Sequence, residues 1–182
     1  MSSEASATLG DLKMTSCKIM LLGEMGVGKT SIARQLAFGT FAADYSSTVG
    51  VDIYTHVVDP PPEGKPFTFL VWDTDGSFGE TLFRSVYIRQ AQAALMVGDV
   101  TRPATIESAA RLCEIFTEAM PGRYFAALLN KCDLIEGEDE PPLPALLRAD
   151  DVPVVRTSAK TGMNVKATFA DAARTIVRRG QA

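Results

Sequence analysis

Cys17-Lys18-Ile19-Met20-Leu21-Leu22-Gly23-Glu24-Met25-Gly26-Val27-Gly28-Lys29-Thr30 is the stretch that decides the fold. It opens with a short apolar run that halts at Gly23, as a strand buried on both faces of a parallel sheet would. Its second half, GEMGVGKT, fits the pattern G-x-x-x-x-G-K-[ST]. From Lys29 to about Phe38, Ile32, Ala33 and Leu36 fall at helical spacing, so a helix follows directly. The order strand, glycine-rich loop, helix N-terminus makes a phosphate cradle. Glycines let the backbone wrap a phosphate chain with consecutive N–H groups pointing inward, and the helix dipole adds to their pull. Lys29 is placed to neutralise β- and γ-phosphate oxygens, and the Thr30 hydroxyl to ligate Mg²⁺.

Working outward, strand-like and helix-like segments alternate along the chain. Val49 to Asp59 (VGVDIYTHVVD) alternates and is rich in β-branched residues; the turn-rich PPPEGKP and a second strand, Phe67 to Trp72, complete a hairpin. Three more buried strands are expected at Ala93–Val97, Tyr124–Leu129 and Val152–Val155, with helical patterns at about Ala104–Ala119, Leu143–Arg148 and Asn164–Arg178. In the last, Val165, Phe169, Ala172 and Ile176 form one apolar face. The pattern predicts an α/β fold: a six-stranded, mostly parallel sheet with one antiparallel edge strand and about five flanking helices. Residues 1–14 are expected to be a disordered extension, and residues 15–180 one nucleotide-binding domain.

Composition narrows the functional class. The 182 residues are 46% hydrophobic, enough for a sizeable core in one domain. Eighteen basic against twenty-two acidic residues leave a net charge of -4, which argues against nucleic acid or an anionic membrane as the main partner. No apolar run approaches the ~20 residues of a membrane span. Cys17, Cys113 and Cys132 cannot all pair and are not spaced for zinc, so reduced thiols in a cytoplasmic protein are expected.

Further motifs identify the base. Asn130-Lys131-Cys132-Asp133 matches NKxD just past a buried strand, and Thr157-Ser158-Ala159-Lys160 follows the last strand and contains SAK. One carboxylate can accept both the N1–H and the 2-amino group of guanine, an edge that adenine lacks. YSSTVGVD places Thr48 eighteen residues past Thr30, and Trp72-Asp73-Thr74 begins as WDTAGQE does. Over about residues 16–178 the chain resembles a Ras-superfamily small GTPase, most similar to the Rab branch. The resemblance implies a guanine-nucleotide switch that binds GTP or GDP with Mg²⁺. It implies nucleotide contacts from Gly26, Val27, Gly28, Lys29, Thr30 and Ser31 in the phosphate loop. In switch I, Phe41 would stack on guanine, Tyr45 would close over the phosphates, and Thr48 would sense the γ-phosphate. The N–H of Gly76 in switch II would do the same. Asp133 would read the base, Asn130 would brace the loops, the Lys131 stem would pack on the ring, and Ser158, Ala159 and Lys160 would complete that end, with the Ala159 N–H toward the guanine O6. Thr30, Thr48 and, through water, Asp73 would hold the metal. Lys29 and Gly76 would serve catalysis. Trp72 reads as structural.

The chain departs from the family where the reaction happens. Switch II continues Asp75-Gly76-Ser77-Phe78 in place of Ala-Gly-Gln-Glu, so Ser77 stands in the slot of the water-positioning Gln. Met25 stands where relatives carry a small residue, and Asp75 adds negative charge near the γ-phosphate. All three point to slow intrinsic hydrolysis, with effectors, exchange factors or activating proteins meeting the chain at its switches. Two alternatives stay open. One is a module that binds guanine nucleotide with negligible turnover. The other is a different P-loop phosphotransferase such as a nucleoside kinase, although no Arg-rich lid is in evidence. The sequence closes on Arg178-Arg179-Gly180-Gln181-Ala182 with no cysteine after Cys132, so no prenyl anchor is expected and the protein is expected to act as a monomer. His56 reads as structural, and Glu136, Glu138, Asp139 and Glu140 as a solvated acidic loop.

Overall fold

A computed structural model describes residues 15–42, 48, 50–76, 88, 90–135, 141–149 and 152–181. The elements are β1 (Thr15–Leu22), α1 (Lys29–Phe38), β2 (Val51–Val57), β3 (Phe67–Thr74), β4 (Ala93–Asp99), α2 (Pro103–Ala119), β5 (Tyr124–Asn130), β6 (Val154–Arg156) and α3 (Val165–Arg178). The strands lie in the order β2-β3-β1-β4-β5-β6. Only the β2–β3 pair of this sheet is antiparallel, with Ile53 opposite Trp72 and Val57 opposite Thr68; the rest are parallel. The architecture is that of a P-loop GTPase fold.

The alternation along β1 explains the two-layer core. Successive side chains of a strand point to opposite faces. Cys17, Ile19 and Leu21 join Ile32 and Leu36 of α1 and Phe169, Ala172 and Ile176 of α3 on one face. Met20 and Leu22 join Ile106, Cys113 and Phe116 of α2 on the other. Three consecutive fully buried residues, Ile19, Met20 and Leu21, are therefore the mark of a strand covered on both sides. Trp72 is half-buried beneath the Lys18 ammonium, which sits 3.5 Å from the ring centroid, and His56 packs its edge on Phe169 at 6.3 Å. Both residues serve packing, as expected.

Two expected elements differ. Leu143–Arg148 is not an α-helix: a single 3-10 turn covers Ala145–Arg148. Pro141, Pro142 and Pro144 precede it, and proline both lacks the N–H a helix needs and pushes the residue before it out of the helical region. The last strand begins at Val154, two residues later than expected, because Pro153 cannot donate to the ladder. Among the described residues there are three α-helices and three short 3-10 turns. The expected disorder of residues 1–14 and the acidic loop at 136–140 lie outside the described residues. Cys17, Cys113 and Cys132 are free, buried thiols; burial pushes Cys17 up to about 11 and Cys113 up to about 12. Among the described residues no helix is long and apolar enough to cross a membrane.

Candidate nucleotide-binding site

The loop between β1 and α1 is tightened by two glycines that no other residue could replace. Gly23 has φ 142°, and a Cβ there would lie 2.3 Å from the Val97 carbonyl oxygen of β4. Gly28 has φ 101°, and its Cβ would lie 2.3 Å from Asn130 Nδ2. Between them Val27 is fully buried and pins the loop to the core. Gly28 is also the residue that precedes α1, and among the described residues no side chain caps that helix. Its first N–H groups are thus left to face the loop, the arrangement that suits an anion.

Lys29 is buried, and its Nζ donates to the carbonyls of Gly23 (2.9 Å) and Glu24 (2.8 Å). Burial pulls its pKa down to about 8; the carboxylates of Asp73 and Asp75 pull it back up, and Arg102 lowers it further. Beside it, the Thr30 hydroxyl donates to Asp73 Oδ2 at 2.6 Å. Thr48 Oγ1 lies 2.8 Å from Thr30 Oγ1. Because Thr30 has given its one proton to Asp73, Thr48 must be the donor in that second bond. Asp73 is fully buried, and burial pushes its pKa up against the Thr30 hydrogen bond and Lys29. Its other oxygen, Oδ1, is buried and has no hydrogen-bond partner among the described residues. An orphaned carboxylate oxygen next to two hydroxyls is a hard, oxygen-only donor set, the chemistry Mg²⁺ accepts with waters and phosphate filling the remaining positions. Among the described residues no group of three or more His, Cys, Asp or Glu side chains is placed to hold a metal.

At the other end, Asn130 closes β5 and joins three loops. Its Nδ2 donates to the Val27 carbonyl at 2.9 Å, and its Oδ1 accepts from the Ala159 N–H (3.1 Å) and the Thr157 hydroxyl (3.3 Å). The Ala159 N–H, expected to face the guanine O6, is thus directed at Asn130. Ser158 donates its hydroxyl to Asp133 Oδ1 at 2.6 Å and accepts the Thr161 N–H at 3.1 Å, which fixes the Asp133 carboxylate. Lys160, mostly exposed, lies 3.9 Å from Asp133 Oδ2, a contact of little strength at that distance in water. Lys131 stands in the left-handed region (φ 67°), and its Nζ reaches Asp99 Oδ2 at 2.6 Å.

These two ends face one cavity of about 440 Å³. Gly26, Gly28, Lys29, Thr30, Ser31 and Thr48 line the end beneath the loop after β1, with Gly76. Asn130, Lys131, Asp133, Ala159, Lys160 and Phe41 line the other end. Val27, Ser158 and Asp73 are buried and do not line the cavity. Phe41 is 43% exposed, so it faces the cavity and is not a core residue at a helix end. A Cβ on Gly76 would meet the Met25 nitrogen at 2.2 Å, so the start of switch II lies hard against the phosphate loop. The Asp75 N–H donates to the Gly50 carbonyl at 3.0 Å and fastens the same segment to the start of β2. Met25 is 52% exposed at the mouth of the cavity. Tyr45, Ser77 and Phe78 lie outside the described residues.

Sequence reasoning missed Arg34, Asp99, Arg102 and Leu134. Arg34 and Leu134 line the cavity, and the Arg34 charge acts on Asp73. Asp99 is 1% exposed and Arg102 joins it at 3.2 Å. One signal was available: a carboxylate ending the apolar strand AALMVGD has to be paired if it is buried.

Comparison with known proteins agrees with this geometry. The Ras family model matches residues 18–178. Rab-26 of Bos taurus is 37% identical over 177 residues, covering 93% of this chain and 67% of that protein. Rab-37 of Homo sapiens is 38% identical over 162 residues, 84% of this chain and 69% of that protein. Rab5A of Oryza sativa is 30% identical over 173 residues, 93% of this chain and 84% of that protein. Members of this family bind GTP and GDP, and the chain belongs to it: a Rab-like small GTPase of the Ras family.

Proposed function

We propose that the protein is a magnesium-dependent guanine-nucleotide switch whose own hydrolysis of GTP is slow and whose turnover depends on a partner. The observation that carries this reading is the cluster of Thr30, Thr48 and Asp73 at the phosphate end of the cavity, with Asp73 Oδ1 buried and unpartnered. When bound, Mg²⁺ would neutralise charge on the β- and γ-phosphate oxygens. The chain's own residues do the rest. The loop from Gly26 to Ser31 presents its N–H groups to the phosphates, and Lys29 turns from the Gly23 and Glu24 carbonyls to the triphosphate. Thr48 and Gly76 order around the γ-phosphate, which gives two loops a form that exists only with GTP. Asp133, held by Ser158, reads the guanine edge, while Phe41 and the Lys131 stem flank the ring; Tyr45 closes over the phosphates, and Lys160 and Ala159 border the base.

Slow hydrolysis follows from positioning. Phosphoryl transfer relies on orientation and charge stabilisation more than on covalent chemistry. Ser77 is too short to orient water as a Gln does. The exposed thioether of Met25 occupies the mouth through which a partner's arginine would enter, and Asp75 lines the same space with negative charge. Effectors, exchange factors and activating proteins would read the switch loops, the protein working as a cytoplasmic monomer. Met25 also favours a second reading, a nucleotide-holding interaction module with negligible turnover.

Single-turnover hydrolysis of Mg²⁺-GTP by the wild type beside Ser77→Gln separates the two. A slow but measurable wild-type rate that Ser77→Gln raises supports the switch. No turnover in either protein supports the module, and an ordinary wild-type rate removes Ser77 as a lesion.

A further inference from the structure

Asp99 and Arg102 lie outside the phosphate-loop, switch, NKCD and TSAK segments, yet they touch loops from both ends of the cavity. β4 lies between β1 and β5 in the sheet, so Asp99 at its end stands between the phosphate loop and the NKCD loop. The carboxylate is buried. Its Oδ1 accepts the Thr101 N–H (2.9 Å) and hydroxyl (2.7 Å), and its Oδ2 receives Lys131 Nζ (2.6 Å) and Arg102 Nε (3.2 Å). Burial alone would push Asp99 up, but Lys131 and the Thr101 donors outweigh it and hold the carboxyl below its usual range, so it stays ionised. The same Arg102 guanidinium donates from Nη2 to the Met25 carbonyl at 3.0 Å. One planar fork therefore spans from a buried carboxylate to the backbone of the phosphate loop, and the carboxylate is shared with the lysine of the base loop.

We propose that Arg102 and Asp99 form a clamp that sets how long a guanine nucleotide stays bound. It does so by holding the Met25 carbonyl and Lys131 in fixed register. The inference rests on the reading that this cavity holds guanine nucleotide. Arg102 is a positioning residue: it acts through Met25 and Lys131. For the nucleotide to leave, the loops after β1 and β5 must part, and the fork resists that movement. Neither Arg102 nor Asp99 is bonded to Thr48 or Gly76, which form the γ-phosphate end. GDP and GTP release are therefore both slowed. Lysine keeps the charge but is a point donor that cannot span both acceptors.

The test is the release of fluorescent GDP and of a fluorescent non-hydrolysable GTP analogue from the full chain in excess Mg²⁺. Arg102→Gln and Arg102→Lys are compared with wild type, and Arg174→Gln, which removes a distant α3 surface pair with Asp171, serves as control. Both Arg102 variants should release both nucleotides about tenfold faster, the scale of one charge-assisted hydrogen bond. Their thermal midpoints should match wild type, because the Arg102 side chain is 44% exposed. Retention of wild-type residence by Arg102→Lys would overturn the clamp in favour of charge alone, and faster release of the GTP analogue only would overturn it in favour of a γ-phosphate contact. Unchanged release in both variants would also end it. Failure of the wild type to hold either nucleotide would instead overturn the site reading, and the clamp with it.

Discussion

Asn130 and Val27 are 103 positions apart in sequence and 2.9 Å apart in space, joined by a hydrogen bond from the Asn130 amide to the Val27 carbonyl. That bond fastens the base loop to the phosphate loop from beneath, while the Asn130 carbonyl oxygen holds Thr157 and Ala159. Asn130→Ala would leave a carbonyl, an N–H and a hydroxyl without their partner in a buried place. Each such loss costs about 1–3 kcal/mol. The expected outcome is nucleotide release faster by about ten- to a hundredfold, with a lower thermal midpoint, read by fluorescent-nucleotide dissociation and thermal melting.

Gly76→Ala tests the packing of switch II on the phosphate loop. Its new Cβ would sit 2.2 Å from the Met25 nitrogen and 2.6 Å from the Glu24 carbonyl carbon, so the segment must withdraw. Affinity for a GTP analogue should fall about tenfold or more, and GDP affinity much less, because only the γ-phosphate end is displaced. Equal losses for both nucleotides would show that Gly76 has no γ-phosphate role.

Thr48 supplies the only switch I oxygen in the described cluster around Asp73. Thr48→Ala should weaken the Mg²⁺ dependence of GTP-analogue binding while leaving GDP retention nearly intact. Titrating Mg²⁺ against nucleotide release in both states measures this directly. Chelation with EDTA should speed release of both nucleotides in the wild type, since on the proposed reading Thr30, and Asp73 through water, would hold the metal in each state.

Cys113 gives a pH signature free of the site. Burial pushes its folded pKa up to about 12, above the ordinary thiol value of 9.0, so the folded state holds the proton more tightly. That contribution is fully present below about pH 9 and is lost as pH rises towards 12. The stability of wild type relative to Cys113→Ala should therefore be flat below pH 9 and decline above it, measured by urea melts across the range. At pH 8 the native thiol should also resist alkylation until the protein unfolds.

Much of the fold could be read from local pattern because its devices are local. The apolar run at β1, the glycines and the helix spacing after Lys29 are contiguous, and NKCD and TSAK each sit where a strand ends, buried at β5 and only partly covered at β6. What the sequence hid were relationships between segments. Arg102 is a surface-type residue that looks solvated until β4 and β1 are placed side by side, and Asp99 gains meaning only when Lys131 arrives from β5. Arg34 sits on a helix face that reads as amphipathic and nothing more. The 143–148 segment carries leucines at a helix-compatible spacing, but the prolines before it decide the backbone. An aromatic just past a helix end, as Phe41 is, suits core packing in sequence as well as stacking, and its 43% exposure in the cavity decides between them.

The loops around the cavity hang from strands of very different standing in the sheet. The phosphate loop continues β1, an eight-residue strand with partners on both sides and side chains buried on both faces. The TSAK loop continues β6, a three-residue strand paired only with β5 at the sheet's margin. Backbone amides of β1 should therefore exchange with solvent only when the whole domain opens, whereas those of β6 exchange through small local openings. On the proposed reading, Ser158, Ala159 and Lys160 would loosen first, while Asn130 and Asp133, carried by the interior strand β5, would hold as long as the phosphate loop does.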